Sequence, residues 1–384
     1  MGNLLLILFT FFLTGQTQAQ EVTPTKLANQ SIDFADDLDF ENLGLAVERQ
    51  IHSYDRRGGL KGTIKFGTTA YPKSVLRDSL ILLRDISIKY KTCISYTQKI
   101  SCAEALSREI NEKFNVYAPI PARKEQGYKK TLTTKYTSYY SPDLTGSRIP
   151  TERFKRAIYG LPKPADAKFT RVQIDFDKKL EGKGLELFWV EDSFFDLYLL
   201  HVQGGGRITI NNADGSQSIS YLSMVGHNSQ KCEFIGKYLY RTGQLPASEA
   251  YRIPNQRKYL EQNPDKERPA FSNCPSYIYF RESDEEPVGR DVISLTVNRS
   301  LAVDSTIYKT TGLITFVKTQ KTISQSESGN AIKEPFSRFF LAQDTGSKIR
   351  GNARCDLYFG YGPLAEMIAY SMDDMGEQYF LVKK

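Results

Sequence analysis

The fold of the C-terminal part of this chain is decided by residues 342–362, AQDTGSKIRGNARCDLYFGYG. In this stretch Asp344 and Asp356 each follow a short run of apolar or small residues and precede glycines that favour turns. The pattern predicts two strands whose ends carry carboxylates facing a shared loop region. A third aspartate, Asp304, closes the strand-like run NRSLAVDS. Carboxyl groups at sparsely charged strand ends often have raised pKa values and serve as general acids. The alternative is that each aspartate ties a turn by accepting amide hydrogen bonds.

Strand patterns dominate from about residue 131 to the C-terminus. They consist of short β-branched and aromatic runs separated by Gly, Pro and Asp, including TTKYTSYYSP, GLELFWVED, FFDLYLLHVQ, GRITINN, VISLTV, LITFVK and RFFLAQD. Asp214 and Gly215 predict a hairpin turn. The polar segment 319–334 interrupts the pattern and is predicted to be an exposed loop.

Helical patterns flank these strands. Before residue 131 one apolar stripe starts near Leu76 and a second helix is predicted from Ser101, while Pro363 opens a final helix. The sequence therefore predicts a mainly β protein with helical additions. Its predicted parts are a signal peptide (1–19), an N-terminal helical region packing on the C-terminal barrel (20–130), an inserted β domain (131–282) and a C-terminal β-barrel domain (283–384).

The N-terminal segment has the features of an export signal. Leu4 to Leu13 form an apolar core of ten residues, which is too short to span a bilayer. Small residues at Thr17 and Ala19 offer a cleavage site, and no Cys follows the core as a lipid-anchor site. We therefore expect an exported protein, periplasmic or associated with the outer membrane, without stable membrane insertion.

Charge and cysteine content narrow the classes of function. The net charge of +7 in 384 residues is spread along the chain without a dense basic run, which disfavours nucleic-acid binding. The five Cys match no zinc pattern, and no HExxH motif is present, so no metal or other cofactor is predicted. Cys93 and Cys102 border a turn-prone stretch and are candidates for a disulfide. The odd count leaves at least one free thiol, and Cys355 is interpreted as a buried small hydrophobe.

Four stretches, taken in order, resemble the membrane-bound lytic murein transglycosylase A family. They are YTSYYSP (136–142), LLHVQGGGRITI (199–210), CPSYIYF (274–280) and the block from NRSLAVD through AQDTG to CDLYFGYG. The last block resembles the 3D domain, which is named for three aspartates. The resemblance covers roughly residues 130 to 380. This chain departs from the usual family pattern at Ser138, where Gly is usual, at Val225 in the Asn-Gly-His stretch, and at Cys274, where Asn is usual.

The resemblance implies a double-psi β-barrel domain and a smaller inserted β-barrel domain, with a substrate groove between them. It also implies cleavage of the β-1,4 bond between N-acetylmuramic acid and N-acetylglucosamine in peptidoglycan, giving 1,6-anhydromuramoyl ends without water. The family's catalytic aspartate matches Asp356, and its neighbours match Asp344 and Asp304.

One carboxyl group is enough for this reaction. It protonates the leaving oxygen and then, as a carboxylate, takes the proton of the muramoyl C6 hydroxyl that attacks C1. Such an acid needs a raised pKa, and a second carboxylate nearby raises it by like-charge repulsion. Asp344 is the candidate for that supporting role, and Asp304 for positioning it. The alternative, that both only tie loops together, stays open.

Further residues are substrate-binding candidates through the same resemblance. Glycines allow close approach of the backbone to a polymer, and a Gln amide binds an acetamido group. The candidates are Tyr139, Tyr140, Gln203, Gly204, Gly205, Arg207 and His227.

Two other functions compete with this interpretation of the sequence. Asp344-Thr345-Gly346 is the kind of motif found in aspartic proteases, but those need two such motifs to share a proton, and only one is present. A non-catalytic peptidoglycan-binding protein of the same fold is the stronger alternative.

Overall fold

Strands form most of the framework, and helices pack around them. The computed structural model describes residues 21–28, 31–96, 99–120, 134–212, 214–325, 331–346 and 348–384. The predicted signal peptide lies outside these residues. The strands are β1 (Glu21–Thr23), β2 (Thr25–Leu27), β3 (Thr63–Phe66), β4 (Thr69–Pro72), β5 (Phe114–Pro119), β6 (Thr134–Tyr139), β7 (Asp143–Ser147), β8 (Phe154–Tyr159), β9 (Glu186–Glu191), β10 (Gly205–Asn211), β11 (Gln217–His227), β12 (Ile278–Ser283), β13 (Ser300–Val303), β14 (Leu313–Gln325), β15 (Ala331–Thr345), β16 (Arg354–Tyr358) and β17 (Asp374–Lys383). The helices are α1 (Leu43–Arg56), α2 (Ser74–Tyr96), α3 (Lys99–Lys113), α4 (Arg171–Asp175), α5 (Phe194–Gln203), α6 (Ile235–Arg241), α7 (Ala247–Ala250), α8 (Ile253–Gln262), α9 (Glu267–Ser272) and α10 (Gly362–Ser371).

Six strands close into a barrel. Their order is β14-β15-β13-β16-β6-β17, and β17 pairs back onto β14 to complete the ring. Closure removes the free sheet edges that would otherwise pair with other chains. The buried face is lined by apolar side chains such as Leu301, Val317 and Leu357. The predicted mainly β fold with a C-terminal barrel is therefore confirmed.

A second six-stranded sheet, with the order β12-β11-β10-β7-β9-β8, is inserted into the barrel between β6 and β13. Its core contains Ile158, Phe188, Val190, Ile208 and Leu222. The Asp214-Gly215 turn joins β10 to β11 as predicted, with Gly215 at φ 83°.

The boundary of the insert differs slightly from the expected one. Strand β6 starts at Thr134, inside the range expected for the insert, but it pairs with β16 and β17 of the barrel. The sheet of the insert begins with β7. The segment before residue 131 adds β5 and β2 to the barrel sheet beside β17, and α1 and α2 pack on β15 and β17. We retain the division into parts as a proposal, with β6 assigned to the barrel.

The run FFDLYLLHVQ, predicted as a strand, forms helix α5. The helix is buried on nearly all sides, and its residues are apolar on nearly all sides. The sequence therefore lacks the periodic alternation of apolar and polar residues that would indicate a helix. The local signals lie at the ends of the helix. The Ser193 hydroxyl accepts a hydrogen bond from the Asp196 amide, and Gly204 ends the helix at φ 78°.

The polar segment 319–334 was wrongly predicted to be a loop. It belongs to the long hairpin of β14 and β15, which pair from Leu313 to Gln325, and only its residues 326–330 lie outside the described part. Thr322 is fully buried and accepts a hydrogen bond of 2.7 Å from Ser371. Polar β-branched residues that meet partners of this kind form strands despite their low hydropathy.

Two disulfides are present among the described cysteines. Cys93–Cys102 joins α2 to α3, as predicted. Cys232–Cys274, which was not predicted, closes the helical excursion α6–α9 between β11 and β12. Cys355 is free and buried, as interpreted from the sequence, and burial raises the pKa of its thiol to about 12. None of the described helices is long and apolar enough to cross a membrane.

One ion pair is completely buried and ties the N-terminal segment to the barrel. Both Arg299 terminal nitrogens contact the Asp36 carboxylate, at 2.6 and 2.8 Å, and neither side chain is exposed. The carboxylate also accepts the Phe40 and Phe339 amides. Its charge and lone pairs are thus satisfied inside the protein.

Candidate active site

Asp356 lies on β16, with its carboxylate held on one side. Oδ1 accepts a short hydrogen bond from the Thr137 hydroxyl and lies 2.7 Å from an Arg354 nitrogen. The Asp356 side chain keeps 24% of its surface exposed. β16 runs parallel to β6 with Asp356 opposite Thr137, so the fold of the barrel fixes this contact.

Asp344 lies near the end of β15 and, like Asp356, is partly exposed. Tyr139 donates its hydroxyl proton to Oδ2 over 2.8 Å, and the Thr345 amide donates to Oδ1 over 2.8 Å. Burial raises the pKa of Asp344; the hydrogen bonds from Tyr139 and Thr345 oppose this rise, and the charge of Asp356 adds to it. From the sequence, the raised pKa was instead expected at Asp356, with Asp344 as its cause.

The register of the barrel brings the two aspartates to one face. Ala302 on β13 pairs with Asp344 on one side and with Asp356 on the other. Residues paired across neighbouring strands point to the same face of a sheet. The barrel therefore presents two partly exposed carboxyl groups with different hydrogen-bond partners, on the two strands flanking β13.

Asp304 has the contacts of a loop-tying residue. Its Oδ1 accepts the amide and hydroxyl of Thr306, and its Oδ2 accepts the Gly351 amide at 2.9 Å. These bonds lower its pKa against the opposing effect of burial. They favour the loop-tying alternative for Asp304.

A row of tyrosines connects the aspartates to the insert. The Tyr139 ring lies 5.1 Å from that of Tyr358, which lies 6.4 Å from that of Tyr361. Tyr361 in turn contacts Tyr221 of the insert, with ring centroids 6.2 Å apart. We call these four residues the tyrosine row. Tyr358 is fully buried. The partly exposed rings of Tyr139, Tyr221 and Tyr361 suit sugar binding, since the apolar face of an aromatic ring covers C–H groups.

Arg207 joins the tyrosine row from the insert. Its guanidinium lies 4.6 Å from the centre of the Tyr361 ring. It also donates to the Asp143 carboxylate, at 3.0 Å from Nε, and this pairing raises the pKa of Arg207. The structure thus brings together Arg207, Tyr139, Asp344 and Asp356 among the predicted residues.

The other predicted binding residues lie elsewhere. Tyr140 points to α10, where its hydroxyl contacts Tyr370 at 2.7 Å. His227 ends β11, six residues beyond Tyr221, or about 20 Å along the strand. Gln203 is exposed at the end of α5.

The glycines after Gln203 have structural roles. Gly204 caps α5 in the left-handed conformation. A Cβ on Gly205 would lie 2.6 Å from the Leu222 carbonyl oxygen, which is backbone of the paired strand. Packing therefore accounts for Gly205 without a ligand.

Gly205→Ala tests that role. We expect the free energy of unfolding of the insert to fall by about 1–3 kcal/mol, because the strands must move apart to admit the methyl group. Gln203→Ala, at an exposed neighbouring position, should change it by less than about 0.5 kcal/mol. Thermal unfolding of both variants measures the difference. Equal stability of the two variants would contradict the packing role.

Sequence reasoning missed Thr137, Arg354, Tyr221 and Tyr361. Arg354 stands two residues before Asp356, so on one strand both side chains point to one face, and that spacing was a usable signal. Tyr361 lies in the quoted motif, but Tyr221 reaches the site only through the placement of the insert. Within the described residues, no group of three or more His, Cys, Asp or Glu side chains is placed to hold a metal ion.

Family models match two parts of the chain. The MltA specific insert domain matches residues 135–281, and the 3D domain matches residues 299–382. Together these matches span more than half of the chain, and they define a 3D-domain protein with an MltA-type insert. The chain belongs to the membrane-bound lytic murein transglycosylase A family.

Two relatives agree with this assignment. The membrane-bound lytic murein transglycosylase A of Vibrio cholerae is 28% identical over 253 residues, which is 65% of this chain and 66% of that protein. The Escherichia coli K12 protein of the same name is 26% identical over 248 residues, covering 64% and 65%. The aligned stretches thus span just under two thirds of these relatives.

Two solved structures share the fold. The E. coli MltA structure with bound chitohexaose has a TM-score of 0.68 at 20% identity and covers 96% of this chain and 97% of its own. The lytic transglycosylase LtgG of Burkholderia pseudomallei has a TM-score of 0.58 at 23% identity, covering 94% and 98%.

Proposed function

We propose that this protein is a peptidoglycan lytic transglycosylase. It cleaves the β-1,4 bond between N-acetylmuramic acid and N-acetylglucosamine and leaves 1,6-anhydromuramoyl ends. One observation carries the proposal: Asp344 and Asp356 flank Ala302 on one barrel face in unlike environments. Unequal carboxyl groups in one site are a common arrangement for acid–base work on glycosides.

Asp356 is the group assigned to proton transfer. Thr137 and Arg354 both contact Oδ1, so we assign Oδ2 to the glycosidic oxygen. The Asp356 proton passes to that oxygen as the C1–O4 bond breaks, which frees the 4-hydroxyl of N-acetylglucosamine. The muramoyl C6 oxygen then bonds to C1, and its proton returns to Asp356. No water enters, because the nucleophile is part of the substrate.

The groups around Asp356 position it and the sugar. Thr137 donates a hydrogen bond to the carboxylate after it has given up its proton, and the Arg354 guanidinium pairs with its charge. Tyr139 keeps Asp344 in place. Tyr139, Tyr221, Tyr361 and Arg207 are the proposed contacts of the glycan strand, which enters between the barrel and the insert.

Product analysis tests the proposed function. Purified protein incubated with isolated murein should release muropeptides with anhydro ends, identified by mass spectrometry from the loss of one water relative to reducing ends. Reducing ends alone would indicate a hydrolase. Binding without any product would favour the alternative, a non-catalytic peptidoglycan-binding protein of this fold.

Tyr139→Phe tests how Asp344 enters the reaction. The variant keeps the ring but removes the donor whose hydrogen bond lowers the pKa of Asp344, so that pKa rises further. We expect the limb of the pH–rate profile that reports Asp344 to move to higher pH. The plateau rate should fall by no more than about tenfold, because a single hydrogen bond contributes about 1 kcal/mol net. An unchanged pH–rate profile would show that the protonation state of Asp344 does not affect the rate.

The proposed setting is the cell envelope. The apolar N-terminal segment suggests export, and disulfides such as Cys93–Cys102 persist in oxidising compartments. The proposed partner is the peptidoglycan glycan strand. A mature N-terminus at Gln20, found by N-terminal sequencing of the exported protein, would support removal of the segment.

A further inference from the structure

The insert contains a cavity that shares no lining residue with the tyrosine row or the aspartates. Its volume is about 440 Å³, within the range of small-ligand sites. It lies between the outer face of β8 and β9 and the segment 171–186 that covers them. Its walls have an apolar part and a polar part.

The apolar part centres on Trp189. Phe188 and Val190 on the same strand are buried in the core of the insert, so strand alternation turns Trp189 outward. The indole is partly exposed and lines the cavity. Ala157 stands directly opposite it on β8, and this small side chain leaves the space beside the ring open. The Tyr159 ring lines the same wall.

The polar part centres on Asp175. Its side chain is only 4% exposed and lies 3.4 Å from an Arg171 nitrogen. Arg171 is itself fixed by a 2.9 Å hydrogen bond to the Ser276 carbonyl oxygen. Burial raises the pKa of Asp175 to about 6, against the opposing charge of Arg171. The long contact with Arg171 leaves the Asp175 carboxyl group with hydrogen-bonding capacity for hydroxyl or amide groups.

The rim is open and balanced in charge. No atom lies within 4 Å of where a Cβ would stand on Gly182 or Gly184, and both glycines have positive φ. Three basic and three acidic side chains line the cavity, and two of them, Lys178 and Glu181, pair at 3.0 Å. They are Lys155, Arg156, Lys178, Asp175, Glu181 and Glu186. A balanced rim favours neither a polyanion nor a polycation.

We propose that this cavity is a second glycan subsite, which binds a neutral N-acetylhexosamine unit through the Trp189 ring face and the Asp175 carboxyl group. An aromatic wall facing a carboxyl group matches a pyranose, which has apolar C–H faces and polar edges. The choice of peptidoglycan glycan as the polymer rests on the proposed function. The site itself does not require cleavage.

Tryptophan fluorescence reports on this cavity directly, because Trp189 is the one Trp in the chain. We expect titration of the full-length protein with N-acetylchitotetraose to change the tryptophan emission in a saturable way. A short stem peptide of alternating L- and D-residues should leave the emission unchanged. A response to the peptide without a response to the sugar would overturn the assignment to glycan.

Two variants separate this cavity from the groove while keeping Trp189. Ala157→Phe places a ring beside the indole and should weaken the emission-detected affinity at least tenfold. Tyr361→Ala alters the tyrosine row and should leave that affinity within about twofold. Tyr159→Phe removes one hydroxyl from the wall and should weaken binding several-fold, because one hydrogen bond contributes about 0.5–1.5 kcal/mol.

The opposite pattern overturns the proposal. An emission response lost in Tyr361→Ala and kept in Ala157→Phe would mean that Trp189 senses groove binding. A flat emission titration alongside calorimetric binding of the same sugar would place all binding in the groove. Neither result bears on anhydro-product formation, so failure of the subsite and failure of the proposed activity are distinguishable.

Discussion

Asp356→Asn is expected to reduce the rate of anhydromuropeptide release by at least 10²–10⁴-fold, the usual size of a general acid–base contribution. The loss should lie at the upper end or beyond, because one group both gives and regains the proton. The amide oxygen still accepts the hydrogen bond from Thr137, although the ion pair with Arg354 is lost. The fold and the binding of glycan strands should therefore be retained.

A matched control separates chemistry from charge. Asp373 lies on the same barrel domain, is 68% exposed and pairs with Lys135, so Asp373→Asn removes one negative charge without touching the site. Its rate should stay within about twofold of wild type. Asp344→Asn should retain measurable activity with an altered pH profile. Folded Asp356→Asn protein with a near wild-type rate would overturn the assignment and make Asp344 the next candidate.

Asp36→Asn is expected to lower the free energy of unfolding by about 3–5 kcal/mol, because it leaves a buried guanidinium without its counter-charge. Arg299 and Asp36 are both fully buried, so water is not available to replace the lost partner. That loss is a large part of the stability of an ordinary domain, about 5–15 kcal/mol. Urea denaturation followed by circular dichroism measures it.

The control for this loss is an ion pair at the surface. Arg153 and Glu191 form a salt bridge with side chains 64% and 52% exposed, and Glu191→Gln should change stability by less than about 1 kcal/mol. A change below 1 kcal/mol in Asp36→Asn as well would show that the buried pair is replaceable.

The parts of the fold that were predicted from the sequence are those with a local signal. The Asp214-Gly215 hairpin, the helix near Leu76 and the Cys93–Cys102 bridge each depend on residues close in the chain. Helix α5 was missed because burial on all sides removes its period. The hairpin of β14 and β15 was missed because its polar threonines are satisfied by tertiary partners such as Ser371.

The difference between local and long-range signals also applies to the candidate site. Asp344 and Asp356 stand in one quoted motif, from which two carboxylates at strand ends facing a shared loop region were predicted. Asp356 lies instead in the middle of β16. The environment of Asp344 depends on Tyr139, which is 205 residues away in sequence. Tyr221 joins the site from a separate sheet. Contacts between residues far apart in the chain cannot be read from a short stretch of sequence. The electrostatic environment of a residue is therefore harder to predict than the motif that contains it.

The strand order of the barrel affects the order in which parts of the protein fold. Strand β6 lies between β16 and β17, and the contact between Thr137 and Asp356 joins residues 219 positions apart. Contacts of such long range are slow to form, since a large loop must close first. A chain that is still being synthesised contains Thr137 before it contains Asp356. The insert has time to fold by itself, and catalytic competence arrives last, with the final strand.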